Sequence, residues 1–306
     1  MIIKKYIVAT RPSLLAYTQT EQTVNFIREK NPGIEFEIVK FSTQGDKITD
    51  KPLTEFGGTG VFVKELENAI LEGKAHFAIH SLKDVPGIQP ENMTLACFVK
   101  REDPRDLLLT NDGRTLDQLP DNCIIGTGSP RRIVQIANLK HSIKFKELRG
   151  NIDTRLRKLF DGEYDAILLA AAGMNRLGKM IPESAYLPLD NFIPAIGQGT
   201  IALECLSDDF ETIAVLKSIN HAETEIATIA ERSFMKTIGG GCKFPLAAYA
   251  TVTGSNITLN AMIGNHYNFK TYYTSASAEK EQAVQLGIEL AEEIKQAAIS
   301  LDVKIS

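Results

Sequence analysis

Cys123-Ile124-Ile125-Gly126-Thr127-Gly128-Ser129-Pro130-Arg131-Arg132 reads as a buried strand running straight into a helix, and this corner decides the fold. The apolar run 123–127 has strand length and is followed by Gly128. Behind it, Ser129 suits the N-cap of a helix. Pro130 suits the first helical position, where a missing N–H breaks no intrahelical bond. The same order recurs at Val8-Ala9-Thr10-Arg11-Pro12-Ser13 and at Leu148-Arg149-Gly150-Asn151-Ile152-Asp153-Thr154-Arg155, with Asn151 as the cap. Working outward, strands are expected over 6–10, 35–41, 76–80, 95–99, 123–127, 165–171 and 200–205. Helices are expected over 13–30, 61–71, 130–140 and 152–160, with stops at Asn31-Pro32-Gly33 and Gly73. Strands alternating with amphipathic helices define a doubly wound α/β protein.

The last third changes character. A helix over 222–237 ends at Gly239-Gly240-Gly241-Cys242, and Phe244-Pro245 prevents it from resuming. Strands are expected over 247–253, 257–264 and 268–275, joined by Gly254-Ser255-Asn256 and Gly264-Asn265 turns. A closing helix over 279–300 places Val284, Ile288, Ala291 and Ile294 on one face. This is a small α+β unit with a three-stranded antiparallel sheet.

Composition narrows the classes. A chain of 306 residues predicts two or three domains, and 43% hydrophobic with 24% charged residues is ordinary for a soluble globular protein. No signal peptide is expected from Met1-Ile2-Ile3-Lys4-Lys5-Tyr6, and no run approaches the ~20 apolar residues of a membrane span, so a cytoplasmic location is expected. A net charge of −4 argues against nucleic acid as a partner, so an anionic ligand must be captured by a local cluster of positive charge. The four cysteines form no Cys-x-x-Cys pair; Cys97, Cys123 and Cys205 read as core residues, and neither a disulfide framework nor a metal site is expected. His76 and His80 lack a third ligand nearby in sequence.

The three corners carry chemistry. A helix N-terminus offers free N–H donors and partial positive charge, and guanidinium forks beside it suit carboxylate or phosphate. Three corners with at least five arginines imply a ligand with several acidic groups. No Walker-type loop is present, since Gly57-Gly58-Thr59-Gly60 lacks the spacing and the Lys-Ser/Thr ending. In Ile79-His80-Ser81-Leu82-Lys83-Asp84-Val85-Pro86, a strand runs into a lysine and an aspartate. Lys83-Asp84 reads either as a surface ion pair or, in an arginine-rich cleft, as a carboxylate poised as acid, base or cation stabiliser. Strand alternation would put Ser81 and Lys83 on one side and Asp84 on the other. Cys242 reads either as an inert thiol behind a helix cap or as one that a flexible triple-glycine loop brings to a ligand. The aperiodic connection 42–60 exceeds the usual loop length of ~12–15 residues and is expected to form a lid.

Seven blocks in order spell a family: Ala9-Thr10-Arg11, Gly57-Gly58-x-Gly60-x-Phe62-Val63-Lys64-Glu65, His80-Ser81-x-Lys83-Asp84-Val85-Pro86, Arg101-Glu102-Asp103-Pro104-Arg105-Asp106, Leu148-Arg149-Gly150-Asn151, Gly197-Gln198-Gly199 and Gly240-Gly241-Cys242. The chain resembles the hydroxymethylbilane synthase, or porphobilinogen deaminase, family from about residue 7 to 249. The resemblance implies a transferase of haem biosynthesis that links four porphobilinogen units head to tail, releasing ammonia. It also implies a covalent dipyrromethane cofactor held by a thioether to Cys242, with Asp84 as the catalytic carboxylate. By the same resemblance Ser81, Lys83, Thr127, Ser129, Arg131, Arg132 and Arg155 hold the cofactor. Arg11, Ser13, Gln19, Arg149, Arg176 and Gln198 handle substrate or the growing chain.

The resemblance further implies a monomer of three domains: two α/β lobes like those of a two-lobed binding protein, 1–99 with 200–217 and 100–199, and a C-terminal α+β domain, 218–306. Crossing strands are expected at 100–105 and 193–199. The chain departs from the family at Thr59, where a lysine is common, at Gly128, where a serine is frequent, and at Phe244, where a β-branched residue is usual. Two other classes compete with this reading. A non-enzymatic two-lobed polycarboxylate-binding protein would leave Lys83-Asp84 and the cysteine loop without work. A thiol-dependent hydrolase or transferase would need His221 or His266 brought to Cys242 as base.

Overall fold

The computed structural model describes residues 4–47, 60, 62–239 and 244–305. Thr59 and Cys242, with most of the expected lid and the triple-glycine loop beyond Gly239, lie outside the described residues. In chain order, β1 (Lys4–Thr10) leads into α1 (Leu14–Lys30), β2 (Ile34–Lys40), the single turn α2 (Gln44–Lys47), α3 (Lys64–Leu71), β3 (Phe77–Ser81) and β4 (Met93–Phe98). Next come β5 (Asp106–Thr110), β6 (Ile124–Gly126), α4 (Pro130–Leu139), β7 (Lys144–Lys146), α5 (Ile152–Phe160), β8 (Ala166–Ala170) and α6 (Ala171–Arg176). The last are β9 (Ile201–Leu206), α7 (Phe210–Lys217), α8 (Ala222–Ile238), β10 (Leu246–Thr253), β11 (Asn256–Gly264), β12 (Thr271–Glu279) and α9 (Ala283–Ser300). Two compact units result: Met1–Glu102 with Thr200–Glu225, and Asp103–Gly199 with Ile226–Ser306.

The first unit is a five-stranded sheet in the order β2-β1-β3-β9-β4. β2 and β3 run parallel to β1, while β9 runs antiparallel to β3 and β4. Alternate residues feed opposite faces, as a pleated strand requires. Val8, Phe77 and Ile79 pack with Val24 and Ile27 of α1, whereas Ala9 and Ala78 pack with Leu66 and Ile70 of α3. Helices therefore cover both faces, which makes the expected α/β architecture the observed one. Cys97 and Cys205 are buried in this core, and burial pushes both thiols up to about 12, so they are inert at neutral pH.

The second unit holds two sheets. One has the order β5-β8-β6-β7, with β8, β6 and β7 parallel and β5 antiparallel to β8. The other is the antiparallel β10-β11-β12 meander, packed through Ala248, Leu259 and Ala261 against Phe234 of α8 and Leu290 and Ile294 of α9. Among the described residues no helix is long and apolar enough to cross a membrane, and no group of three or more His, Cys, Asp or Glu side chains could hold a metal ion.

Several expectations shift. α3 opens at Lys64, three residues later than the pattern suggested, and the described part of 42–60 includes the turn α2. The segments 100–105 and 193–199 join no strand ladder; 196–199 is a turn. β5, β7, α6 and α7 went unread, β7 because its outward lysines hide a three-residue strand. β12 begins three residues late because the Asn265 side chain accepts from the N–H groups of Tyr267 and Asn268 and prolongs the turn. α9 presents Leu286, Leu290, Ala291 and Ile294 inward and leaves Val284 52% exposed. Its rotation is set by Gly287, where an added Cβ would stand 2.4 Å from the Ala230 carbonyl of α8. That close approach has no hydrophobic signature in the sequence.

Candidate active site

β1 and β3 are adjacent and parallel, so their carboxyl ends share one edge of the first sheet. Arg11 leaves the end of β1 and Asp84 follows the end of β3. The strand stops at Ser81, and Leu82–Asp84 forms a 3-10 turn, tied back by Val85 N–H to Leu82 O. Three residues per turn replace strand alternation here, so the two-sided placement of Lys83 and Asp84 read from the sequence does not apply. Leu82 N–H donates to Thr200 O at 2.9 Å, which anchors the turn to the entry of β9. Arg11 Nη1 stands 4.0 Å from Asp84 Oδ2, with side chains 21% and 34% exposed. The carboxylate therefore faces a guanidinium without being buried by it.

Neighbouring groups support this edge. Ser13 caps α1 by accepting from Ala16 N–H at 3.4 Å. Ser81 Oγ donates to Oε1 of the buried Gln19 at 3.1 Å, joining the end of β3 to α1. Thr10 is fully buried, 2.7 Å from Thr20 through their hydroxyls. The two histidines have separate partners: His76 Nδ1 accepts from Ile7 N–H, and His80 Nε2 lies 3.0 Å from Oε2 of the buried Glu204.

In the second unit the carboxyl ends of β6, β7 and β8 share an edge for the same topological reason. The β6 corner carries Thr127 and Ser129. Ser129 sits at the N-cap of α4, but its side chain makes no cap bond; its own N–H donates instead to Thr127 Oγ1 at 3.2 Å. The β7 corner carries Arg149, whose Nε donates to Glu147 Oε1 at 2.6 Å. Asn151 caps α5 as expected, accepting from Thr154 N–H at 2.9 Å, and Arg155 Nε donates to Gly150 O at 2.7 Å. The two corners are neighbours: a Cβ at Gly128 would lie in ordinary van der Waals contact with the Glu147 side chain, at 3.6 Å, so the position has room for a larger residue.

Arg131 and Arg132 turn inward. β5 is antiparallel, so its first residue, Asp106, lies at the edge where the other strands end, opposite Ala170. Arg131 Nη1 donates to Asp106 Oδ2 at 2.8 Å and to Ile193 O at 2.7 Å. Arg132 donates twice to Asp106 Oδ1, at 2.9 and 2.6 Å, and to Leu168 O at 2.9 Å. Burial by itself would favour the neutral acid, but the two guanidiniums hold the Asp106 carboxyl well below the usual carboxylate range. Arg176 Nη2 donates to Gly199 O at 2.6 Å, and the buried Gln198 donates to Pro104 O at 2.7 Å. These two grip the 196–199 turn together with Glu231 of α8, whose fully buried carboxylate accepts from Gly197 and Ala250 N–H at 2.7 and 2.9 Å.

The structure thus gathers Arg11, Gln19, Ser81 and Asp84 at one sheet edge, and Thr127, Ser129 and Arg149 at another. Asp106 and Glu231 were missed, although Asp106 has a visible signal: a lone carboxylate heading the apolar run Leu107-Leu108-Leu109. Cys242 lies outside the described residues.

The family model described as "Porphobilinogen deaminase, dipyromethane cofactor binding domain" matches residues 6–214, and "Porphobilinogen deaminase, C-terminal domain" matches 226–296. A porphobilinogen deaminase of Brevibacillus brevis is 45% identical over 289 residues, covering 94% of this chain and 93% of that one. One of Macrococcus caseolyticus is 42% identical over 297 residues, covering 96% and 95%. Among solved structures, the methionine binding protein MetQ aligns with a TM-score of 0.46 and 12% identity, over 72% of this chain and 92% of that one.

Proposed function

The chain belongs to the porphobilinogen deaminase family, and from that premise we propose that Asp84 is the carboxylate that carries its chemistry. The reaction is the stepwise head-to-tail condensation of four porphobilinogen molecules, with loss of ammonia and release of hydroxymethylbilane in tetrapyrrole biosynthesis. The non-enzymatic binding reading is not favoured. One observation carries the assignment of Asp84: a partly exposed carboxylate at the end of a buried strand, 4.0 Å from a guanidinium at the same sheet edge.

Each porphobilinogen bears an acetate, a propionate and an aminomethyl group. Arg11 binds a substrate carboxylate through its N–H edge, with Gln19 and Ser81 fixing the end of β3 on which Asp84 depends. Asp84 assists proton delivery to the leaving amine. As ammonia departs, positive charge develops on the pyrrole, and the carboxylate beside it lowers that barrier. Loss of such a group removes roughly 10²–10⁴ in rate.

The second sheet edge fits a dipyrromethane, because Arg149, Arg155, Ser129 and Thr127 offer cationic and hydroxyl donors to its carboxylates. Bound through a thioether to Cys242, the cofactor supplies the primer pyrrole on which the chain grows. Ser81 and Lys83 belong to the same set, as do Arg131 and Arg132 at the head of α4, which act from a buried position. Arg149, with Arg176 and Gln198 on the 196–199 turn, handles the elongating chain. Three domains, 1–99 with 200–217, 100–199 and 218–306, are supported by separate apolar cores for the β5–β8 sheet and the C-terminal sheet. The protein works as a cytoplasmic monomer, with no nucleic acid or membrane partner.

Intact-protein mass tests this reading. The purified protein should exceed its sequence mass by two pyrrole units, and Cys242→Ser should be folded, inactive and without the excess. An adduct retained on Cys242→Ser would remove that cysteine from the assignment.

A further inference from the structure

Phe62 stands in the glycine-rich sequence block, yet neither composition nor spacing gives it work. In the structure its ring lies under the Arg11 guanidinium, with Cζ 4.0 Å from the ring centroid. On the same ring sits Gly45 of α2: a Cβ built there would be 2.1 Å from Cε1 and 2.4 Å from Cδ1 of Phe62. Such a contact admits only hydrogen, so any larger residue at 45 must push the ring aside. The two chain segments are also tied by Gln44 N–H donating to Glu65 Oε1 at 2.8 Å.

Stacking uses the faces of a guanidinium, whereas carboxylates are bound through N–H groups in its plane. A ring under Arg11 therefore fixes the plane of the fork without consuming its edge. The Asp84 contact, at 4.0 Å and through one nitrogen, constrains that plane only weakly. We propose that Phe62, seated on Gly45, is a positioning residue that sets the orientation in which Arg11 meets a substrate carboxylate beside Asp84. This rests on the reading of Arg11 and Asp84 as substrate-handling groups.

The chain contains no tryptophan, so Phe62→Trp places a single fluorophore at the ring position and keeps, or strengthens, the cation–π contact. Its emission maximum and acrylamide quenching should change when Arg11→Ala is added, with quenching rising about twofold. This readout is independent of turnover. In the loaded enzyme, porphobilinogen dependence is read by mass as the fraction gaining one pyrrole unit in a fixed short time, which serves slow variants too. Phe62→Leu should raise the half-saturating concentration about threefold to tenfold, matching a partly desolvated cation–π contact. Gly45→Ala should shift it in the same direction, and Phe62→Trp should stay within about twofold of the parent. In an Arg11→Ala background, Phe62→Leu should add less than about twofold, because the group it orients is gone.

Emission unchanged by Arg11→Ala would overturn the proposal, and so would a Phe62→Leu effect of full size in the Arg11→Ala background, which would make Phe62 act directly on substrate. Parental behaviour of both Phe62→Leu and Gly45→Ala would do the same. Failure of the underlying reading looks different: Arg11→Ala and Asp84→Asn would then each retain parental turnover.

Discussion

Two arginine–aspartate groupings lie at the carboxyl edges of parallel strands, one in each unit, and they are in opposite states. Asp84 faces Arg11 at 4.0 Å, with both side chains partly exposed. Asp106 is fully buried and takes three hydrogen bonds from Arg131 and Arg132, at 2.6 to 2.9 Å. A loose, half-wet pair contributes about 0–1 kcal/mol to stability, so little is lost when a ligand replaces one partner. A buried triad is different, because removing its charge leaves guanidiniums stranded in low dielectric. Under the proposed function the first arrangement serves chemistry, while the second braces the head of α4, where the β6 corner turns.

That contrast can be broken by substitution. Asp84→Asn should lose roughly 10²–10⁴ in the rate of ammonia release while its urea midpoint stays near that of the parent. Asp84→Glu should keep part of the rate, since a displaced carboxylate still faces the developing cation. Equal rates of ammonia release in all three proteins would make Asp84 no more than an ion-pair partner.

Asp106→Asn should do the reverse and cost about 3–5 kcal/mol of stability by urea unfolding. The pH dependence has a definite sign. A carboxyl held below its ordinary value contributes stability that is fully present above the unfolded pKa of about 3.9 and is lost as pH falls through the folded value. The Asp106→Asn protein should therefore show a flatter acid limb than the parent between about pH 4 and pH 2. An unchanged acid limb would mean that the triad is not the group being titrated.

Glu231→Ala strands the N–H groups of Gly197 and Ala250, and should destabilise by about 2–4 kcal/mol, at 1–3 kcal/mol for each unsatisfied donor with partial relaxation. Stability equal to the parent would mean that water reaches both donors. The smallest contrast is between the two corner caps. Asn151→Ala should cost about 1 kcal/mol, while Ser129→Ala should stay within about 0.5 kcal/mol because its side chain makes no cap bond. Equal losses in thermal unfolding would show that Ser129 caps α4 after all.

Much of the molecule was legible in the chain. The corner at 123–132 announced a strand and helix because Pro130 fixes its own φ at the first helical position. α5 was read to its end residues for a similarly local reason, the Asn151 cap bond. Asp84 was legible as a candidate because it follows a short apolar strand and precedes Pro86, within one of the family blocks. The phase of α9 was not legible, since Gly287 faces a neighbouring backbone rather than a hydrophobic stripe.

The sequence by itself determined the alternation of strands and helices, the family, and the cationic residue types that suit polycarboxylates. These follow from periodicity, turn chemistry and charge, which are local. Tertiary structure alone decided which arginines face outward and which are consumed. Arg131 and Arg132 look no different from Arg149 in the chain; their burial depends on β5 running antiparallel and delivering Asp106 from 25 residues away. Likewise only the fold laid Phe62 between Gly45 and Arg11. Pairing across a sheet is fixed by register and strand direction, and neither is written in any single segment.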